Sequence, residues 1–229
     1  MPGNFDFVDD KLREADFFLE RLRDTGSDFE HARFYFSAFV SASRSVTFVL
    51  QSVLADVDGF KSWYAEKQNA LRAEPLAKFF LEVRNEVQKR GSNPLSSLSS
   101  TVSADQTRKI EYYFIYWFGE SPKGLPDLDV ATACEQYLTV LARLVYQCYR
   151  DFGSTIDPEQ YYTLENLARL GLSVEDVLES ELGFPRQWAS SIDPEQVLRQ
   201  IRDNAPKPDV DDLFLKYLGH DRFGRSAEH

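Results

Sequence analysis

Phe79-Phe80-Leu81-Glu82-Val83-Arg84-Asn85-Glu86-Val87-Gln88-Lys89-Arg90-Gly91 combines an apolar stripe, an arginine-asparagine pair and a glycine stop. Leu76, Phe79, Phe80, Val83 and Val87 recur at three- and four-residue spacing, so they share one face of a helix. Pro75 stands where a first helical turn tolerates proline, and Gly91 where a helix ends. The stretch therefore predicts a core-facing helix over 75–90. Because similar stripes recur along the chain, the expected fold is mainly α: an up-and-down helical bundle with an inserted β-hairpin and a small C-terminal helical unit.

At about 100° per residue, Arg84 falls beside Phe80 at the edge of the stripe, and Asn85 shares a face with Lys89. The hexad Arg84-Asn85-Glu86-Val87-Gln88-Lys89 resembles the Arg-Asn-x-x-x-His signature of the HEPN superfamily. The resemblance implies a HEPN-like bundle over residues 1–153. It also implies a homodimer whose interface groove contains Arg84 and Asn85, in a family whose active members cleave RNA there without metal, using an Arg and a His from two subunits. Here the His position is Lys89.

That departure changes the chemistry. Histidine, with an ordinary pKa of about 6.5, accepts and donates protons near neutrality, whereas an ordinary lysine, at about 10.4, is charged. Lys89 then serves as a point charge for a phosphate, with Arg84 as the bidentate partner and Arg90 adding to the field. The expectation is a non-catalytic or catalytically impaired HEPN-like binding or regulatory protein, associated with RNA or a nucleotide. One alternative is a metal-independent endoribonuclease using Arg84, Asn85 and Lys89; another is a protein-protein interaction module. Taken only as structural residues, Arg84 would pair with a carboxylate at a helix interface and Asn85 would cap or bridge a neighbouring helix.

The chain has 229 residues, 43% of them hydrophobic, which suits one substantial core and a smaller satellite. Its net charge of −11 is uneven: residues 1–91 hold 13 basic and 15 acidic side chains, 92–153 hold 5 and 7, and 154–229 hold 8 and 15. Such acidity argues against a general DNA or RNA coat and leaves room only for a local basic pocket. With no apolar leader after Met1 and no run long enough to span a bilayer, a cytoplasmic protein without membrane contact is expected. Cys134 and Cys148 fall on one predicted helix, about 21 Å apart and beyond disulfide reach. His31, His220 and His229 form no metal-binding spacing, so neither metal nor cofactor is expected.

In chain order, Leu12, Ala15, Phe18 or Leu19, and Leu22 mark an amphipathic helix over 7–24, stopped by Thr25-Gly26-Ser27. Asp28 is the expected N-cap of a helix running to about Ala55, whose apolar residues face several directions and which should be the most buried. Its small residues, Ser37, Ser41 and Ser45 among them, let a neighbour approach; no His-acid pair makes a nucleophile of any of them. Gly59 precedes a segment over 60–71 with Trp63 and Tyr64 inward. Ile110 to Phe118 is β-former at eight of nine positions, which predicts a strand paired with 97–103, a hairpin between 97 and 118. A buried helical turn is the rival reading.

Asp127 or Asp129 should cap a helix carrying Val130, Cys134, Leu138, Leu141, Val145 and Cys148. Residues 154–229 then form the acidic unit of short helices, with Asp157-Pro158-Glu159 and Asp193-Pro194-Glu195 as start signals and 219–229 frayed. A protein partner would use Trp188 and the turn Leu182-Gly183-Phe184-Pro185 as apolar anchors. Thr163 to Gly183 roughly has helix-turn-helix spacing, but its second helix, Val174 to Glu181, is acidic, so DNA binding is not expected.

Overall fold

The computed structural model describes residues 5–91, 93–102, 108–115, 126–186, 188 and 191–226. In order these form α1 (Asp6–Arg23), α2 (Phe29–Val53), α3 (Phe60–Ala73), α4 (Pro75–Arg90), β1 (Leu95–Val102), β2 (Arg108–Phe114), α5 (Val130–Ile156), α6 (Pro158–Tyr161), α7 (Leu164–Leu170), α8 (Val174–Ser180), α9 (Pro194–Asn204) and α10 (Asp211–Leu218). The fold is mainly α, with one small two-stranded sheet. Among the described residues no helix is long and apolar enough to cross a membrane.

The local signals act as expected. The Asp28 carboxylate accepts from the His31 amide at 3.1 Å and starts α2. Of the two candidate caps, Asp129 is the one that accepts from Thr132 and opens α5. Pro75 occupies the first turn of α4 and Gly91, at φ 65°, ends it in the left-handed conformation that glycine adopts without Cβ strain. Tyr64 is buried, and half-buried Trp63 donates to Asp151 at 2.6 Å.

The stretch after Ile110 is a strand, not a helical turn: β1 and β2 pair antiparallel from Leu95↔Phe114 to Val102↔Arg108, with a register shift between Leu95 and Ser97. Residues 103–107 and 116–118, included in the expected hairpin, lie outside the described residues. Alternation places Ile110, Tyr112 and Phe114 on the core side. Phe114 meets Phe79 at 5.0 Å and Phe36 at 5.7 Å, while the Tyr112 hydroxyl donates to the Gly26 carbonyl at 2.7 Å. The hairpin root is held by Asn93, which donates to the Arg33 carbonyl and accepts from the Leu95 amide.

Two expectations change. The most buried helix is α5, not α2: α5 buries thirteen residues and touches α1, α2, α4, α10 and β2, whereas α2 buries nine and leaves Phe34 and Phe48 exposed. The serine face of α2 explains this, since Ser41 and Ser45 satisfy their hydroxyls on carbonyls of their own helix and can stay half-solvated. Nor are residues 219–226 frayed, while 227–229 lie outside the described residues. Arg222 is buried and reaches three carboxylates: Asp157 at 3.1 Å, Glu159 at 2.9 Å and Asp211. Burial works against its charge, but Asp157 and Asp211 more than offset that and hold the guanidinium in its charged form.

Val210, Leu213 and Phe214 join the main core beside α5, while Tyr161, Tyr162, Leu167, Val177 and Leu198 make a separate small cluster. Lys216 donates to Asp16 at 2.6 Å and Glu20 at 2.9 Å, tying α10 across to α1. Replacing Arg222 by alanine would leave Asp157 fully buried without its cation. The expected loss is about 3 kcal/mol of unfolding free energy, measured by urea denaturation.

A second buried ionisable group sits deeper. The Tyr149 hydroxyl on α5 donates to Asp9 Oδ2 on α1 at 2.5 Å. Burial pushes the Asp9 carboxyl up to about 8; the Tyr149 bond and the charge of Arg222 pull it down, and neighbouring Asp6 and Asp10 push it further up. The folded chain therefore keeps a proton that the unfolded chain sheds near 3.8. Its contribution is complete below that value and is lost as pH rises toward 8. Asp9→Asn keeps the shape without the ionisation, so its stability relative to wild type should rise between pH 5 and pH 8, by more than about 1 kcal/mol, in paired denaturant titrations.

Candidate functional site

Arg84 owes its place to Phe80, one turn earlier on α4. The Phe80 ring stacks on Tyr137 of α5 at 4.5 Å and meets Phe39 of α2 at 5.9 Å, so this turn of α4 is locked between two helices. Val83 is fully buried beside it, and the half-buried Arg84 side chain leaves from the edge of that contact.

Among the described residues the guanidinium has one hydrogen-bond partner. Arg84 Nη1 donates to Asn85 Oδ1 at 3.2 Å, while Nε is buried and bonded to nothing. Among the described residues no carboxylate lies within ion-pair reach of Arg84, so the expected pairing with a carboxylate is not what holds it. Asn85 likewise turns to Arg84 and not to a neighbouring helix. Lys89 is exposed one turn beyond Asn85, outside the kind of desolvated pocket in which a lysine serves as a base. The Arg90 side chain lies outside the described residues.

The histidines do not supply the missing base. His31 faces solvent in the first turn of α2, its ring nitrogen 2.5 Å from Asp28, and His220 donates to the Asp221 carbonyl and packs on Tyr146. His229 lies outside the described residues. Cys134 and Cys148 are buried free thiols on α5, and burial raises both well above the ordinary thiol range. No group of three or more His, Cys, Asp or Glu able to hold a metal ion occurs among the described residues.

Sequence reasoning overlooked a second under-partnered arginine. Arg44 of α2 lies 4.2 Å over the Phe48 ring and donates to Thr47 Oγ1 at 3.0 Å, but its Nε is also buried and unbonded. Its charge reaches two buried phenols: burial raises Tyr137 to about 12 and also raises Tyr64, with Arg44 pulling both back. The available signal was a lone cation in a run of small and apolar residues from Phe34 to Leu54.

The family model of bacteriophage lambda protein ea47 matches residues 5–155, which is α1 through α5 with the hairpin. The chain belongs to that family. The ea47 match thus takes in Arg44, Arg84, Asn85, Lys89 and Arg90, and stops before α6 and the short helices that follow. No curated protein and no solved structure matches the chain. The helix-turn-helix resemblance ends in a different use of charge: α7 and α8 do form, but Glu175, Asp176 and Glu179 of α8 all lie within 4 Å of Arg186.

A guanidinium without a carboxylate adds little to folding. Arg84→Met retains the apolar stem and removes the unbonded Nε, so thermal unfolding should show a stability within about 1 kcal/mol of wild type. A large loss would make Arg84 a structural residue.

Proposed function

We propose that this ea47-family chain is a non-catalytic, HEPN-like binding protein of the cytoplasm. In this reading it dimerises and holds a phosphate-bearing ligand, RNA or a nucleotide, at Arg84, with Asn85, Lys89 and Arg90 around it. The observation that carries the reading is the Arg84 guanidinium, fixed at the edge of the core, braced by Asn85 and left without a carboxylate among the described residues. A planar fork of donors in that state suits bidentate contact with a phosphate. Lys89 adds hydrated positive charge on the same face, which favours an anion but gives no group matched to proton abstraction at neutral pH.

The test is a labelled single-stranded RNA incubated with the full chain, with light scattering for mass. The expected result is a dimer, RNA that stays intact, and binding weakened about tenfold by Arg84→Met and less by Lys89→Ala, with both effects shrinking as salt rises. RNA cleavage that disappears in both variants would replace this reading with the endoribonuclease one. A strictly monomeric mass would remove the shared groove.

A further inference from the structure

Asp9 has a second oxygen, and that oxygen is the most informative polar atom in the molecule. While Oδ2 accepts from Tyr149, Oδ1 is buried with no partner. Asp9 as a whole is only 3% exposed. Buried polar atoms are nearly always bonded, and a carboxyl oxygen without a partner is a costly exception.

Asp9 is one of the residues lining a cleft of about 590 Å³, at the seam between α1 and α5 on one side and α8 and α9 on the other. The size is that of a small-molecule site. Phe5, Ile156, Leu178, Val197 and Ile201 line its interior. At its mouth Phe184 and Trp188 stack at 4.6 Å, both with more than a third of their surface in solvent. The charges on its walls are two carboxyls, Asp6 and Asp9, against the single cation of exposed Lys207.

An apolar chamber, a pair of surface aromatics and an unbonded carboxyl oxygen at depth together describe a complement for one chemical class. We infer that this cleft binds a small organic amine, its aromatic or aliphatic body seated among the apolar walls and its protonated amino group donating to Asp9 Oδ1. The ammonium supplies the donor that Oδ1 lacks, Tyr149 continues to serve Oδ2, and the aromatics at the mouth favour a passing cation on their faces. The proton balance is explicit. Free Asp9 is largely protonated below pH 8; on binding, the carboxyl gives that proton to solvent, the amine keeps its own, and an ion pair with an N–H···O bond results. The groups facing Asp9 are Asp6 and Asp10 from α1, Tyr149 from α5 and Arg222 beyond α10. The site is separate from Arg84 and stands or falls independently of the RNA reading.

The experiment is calorimetry on the full chain with tryptamine, the neutral isostere 3-ethylindole and the anion indole-3-propanoate. Tryptamine should bind at least about tenfold more tightly than 3-ethylindole at pH 8, and the anion most weakly. Between pH 8 and pH 6 the tryptamine affinity should fall, approaching about tenfold per pH unit, with up to one proton released per amine bound, while 3-ethylindole stays level. In Asp9→Asn the preference for the amine should collapse to near unity and the proton release vanish. Trp188→Ala should weaken both the amine and its neutral isostere, the amine somewhat more, and because Trp188 is exposed this variant needs no core rearrangement. Equal affinity for tryptamine and 3-ethylindole in the wild type, a preference that survives Asp9→Asn, or no saturable tryptamine binding at millimolar concentration would each overturn the inference. If Asp9→Asn fails to fold, a pH-independent tryptamine affinity in the wild type overturns it equally.

Discussion

The contact on which the molecule depends is the face-to-face stack of Phe80 on Tyr137, where α4 crosses α5. It is the centre of a larger aromatic cluster. Phe36 and Phe39 reach Phe80 from α2, Phe79 lies edge-on beside it, and Phe114 enters from the hairpin against Phe36 and Phe79. Each such pair is worth roughly 0.5–1.5 kcal/mol beyond its buried area, and here the pairs share rings, so three helices and a strand are held by the same few side chains. Arg84 inherits its position from this cluster. A side chain one turn beyond a locked ring has little freedom of origin, whatever its head group then meets.

Charge is arranged in two different ways. Some arginines are surrounded: Arg186 has three acidic neighbours on α8, Arg222 has Asp157, Glu159 and Asp211, and Arg23 of α1 has Glu20 and Glu135. In the bundle, Arg44 and Arg84 have hydroxyl or amide partners and a bare Nε each. The net charge of −11 therefore says little about where an anion would be welcome. What matters is which cations already have their carboxylates.

What was legible in the sequence was whatever is settled within a turn or two. Pro75 and Gly91 bound α4, Asp28 and Asp129 cap their helices, and the alternation of Ile110, Tyr112 and Phe114 belongs to a strand with one buried face. The Arg84-Asn85 pair was visible as a motif, and the hydrogen bond between neighbours is a local event. Hidden from sequence was everything that pairs across the chain. Asp9 meets Tyr149 across 140 positions and Arg222 meets Asp157 across 65, and no periodicity reveals a carboxylate whose partner is so distant. The greater burial of α5 was missed for a related reason: apolar residues on many sides of α2 look like burial until the surrounding elements are counted, and Phe34 and Phe48 stay exposed among the described residues.

The Arg222 anchor also sets an order of events during synthesis. Asp157 closes the end of α5 and opens α6, and it is fully buried in the finished fold, yet its cation is translated 65 residues later. At roughly 5–20 residues per second the ribosome delivers that cation about 3–13 s after Asp157 itself, longer than a helical bundle needs to collapse. During that interval a nascent bundle can assemble α1 to α5, but sealing the α5–α6 corner would bury a carboxylate held only by the Glu159 amide and the Gln160 side chain, without its cation. The ion-paired form of that corner can thus close only once Arg222 has emerged.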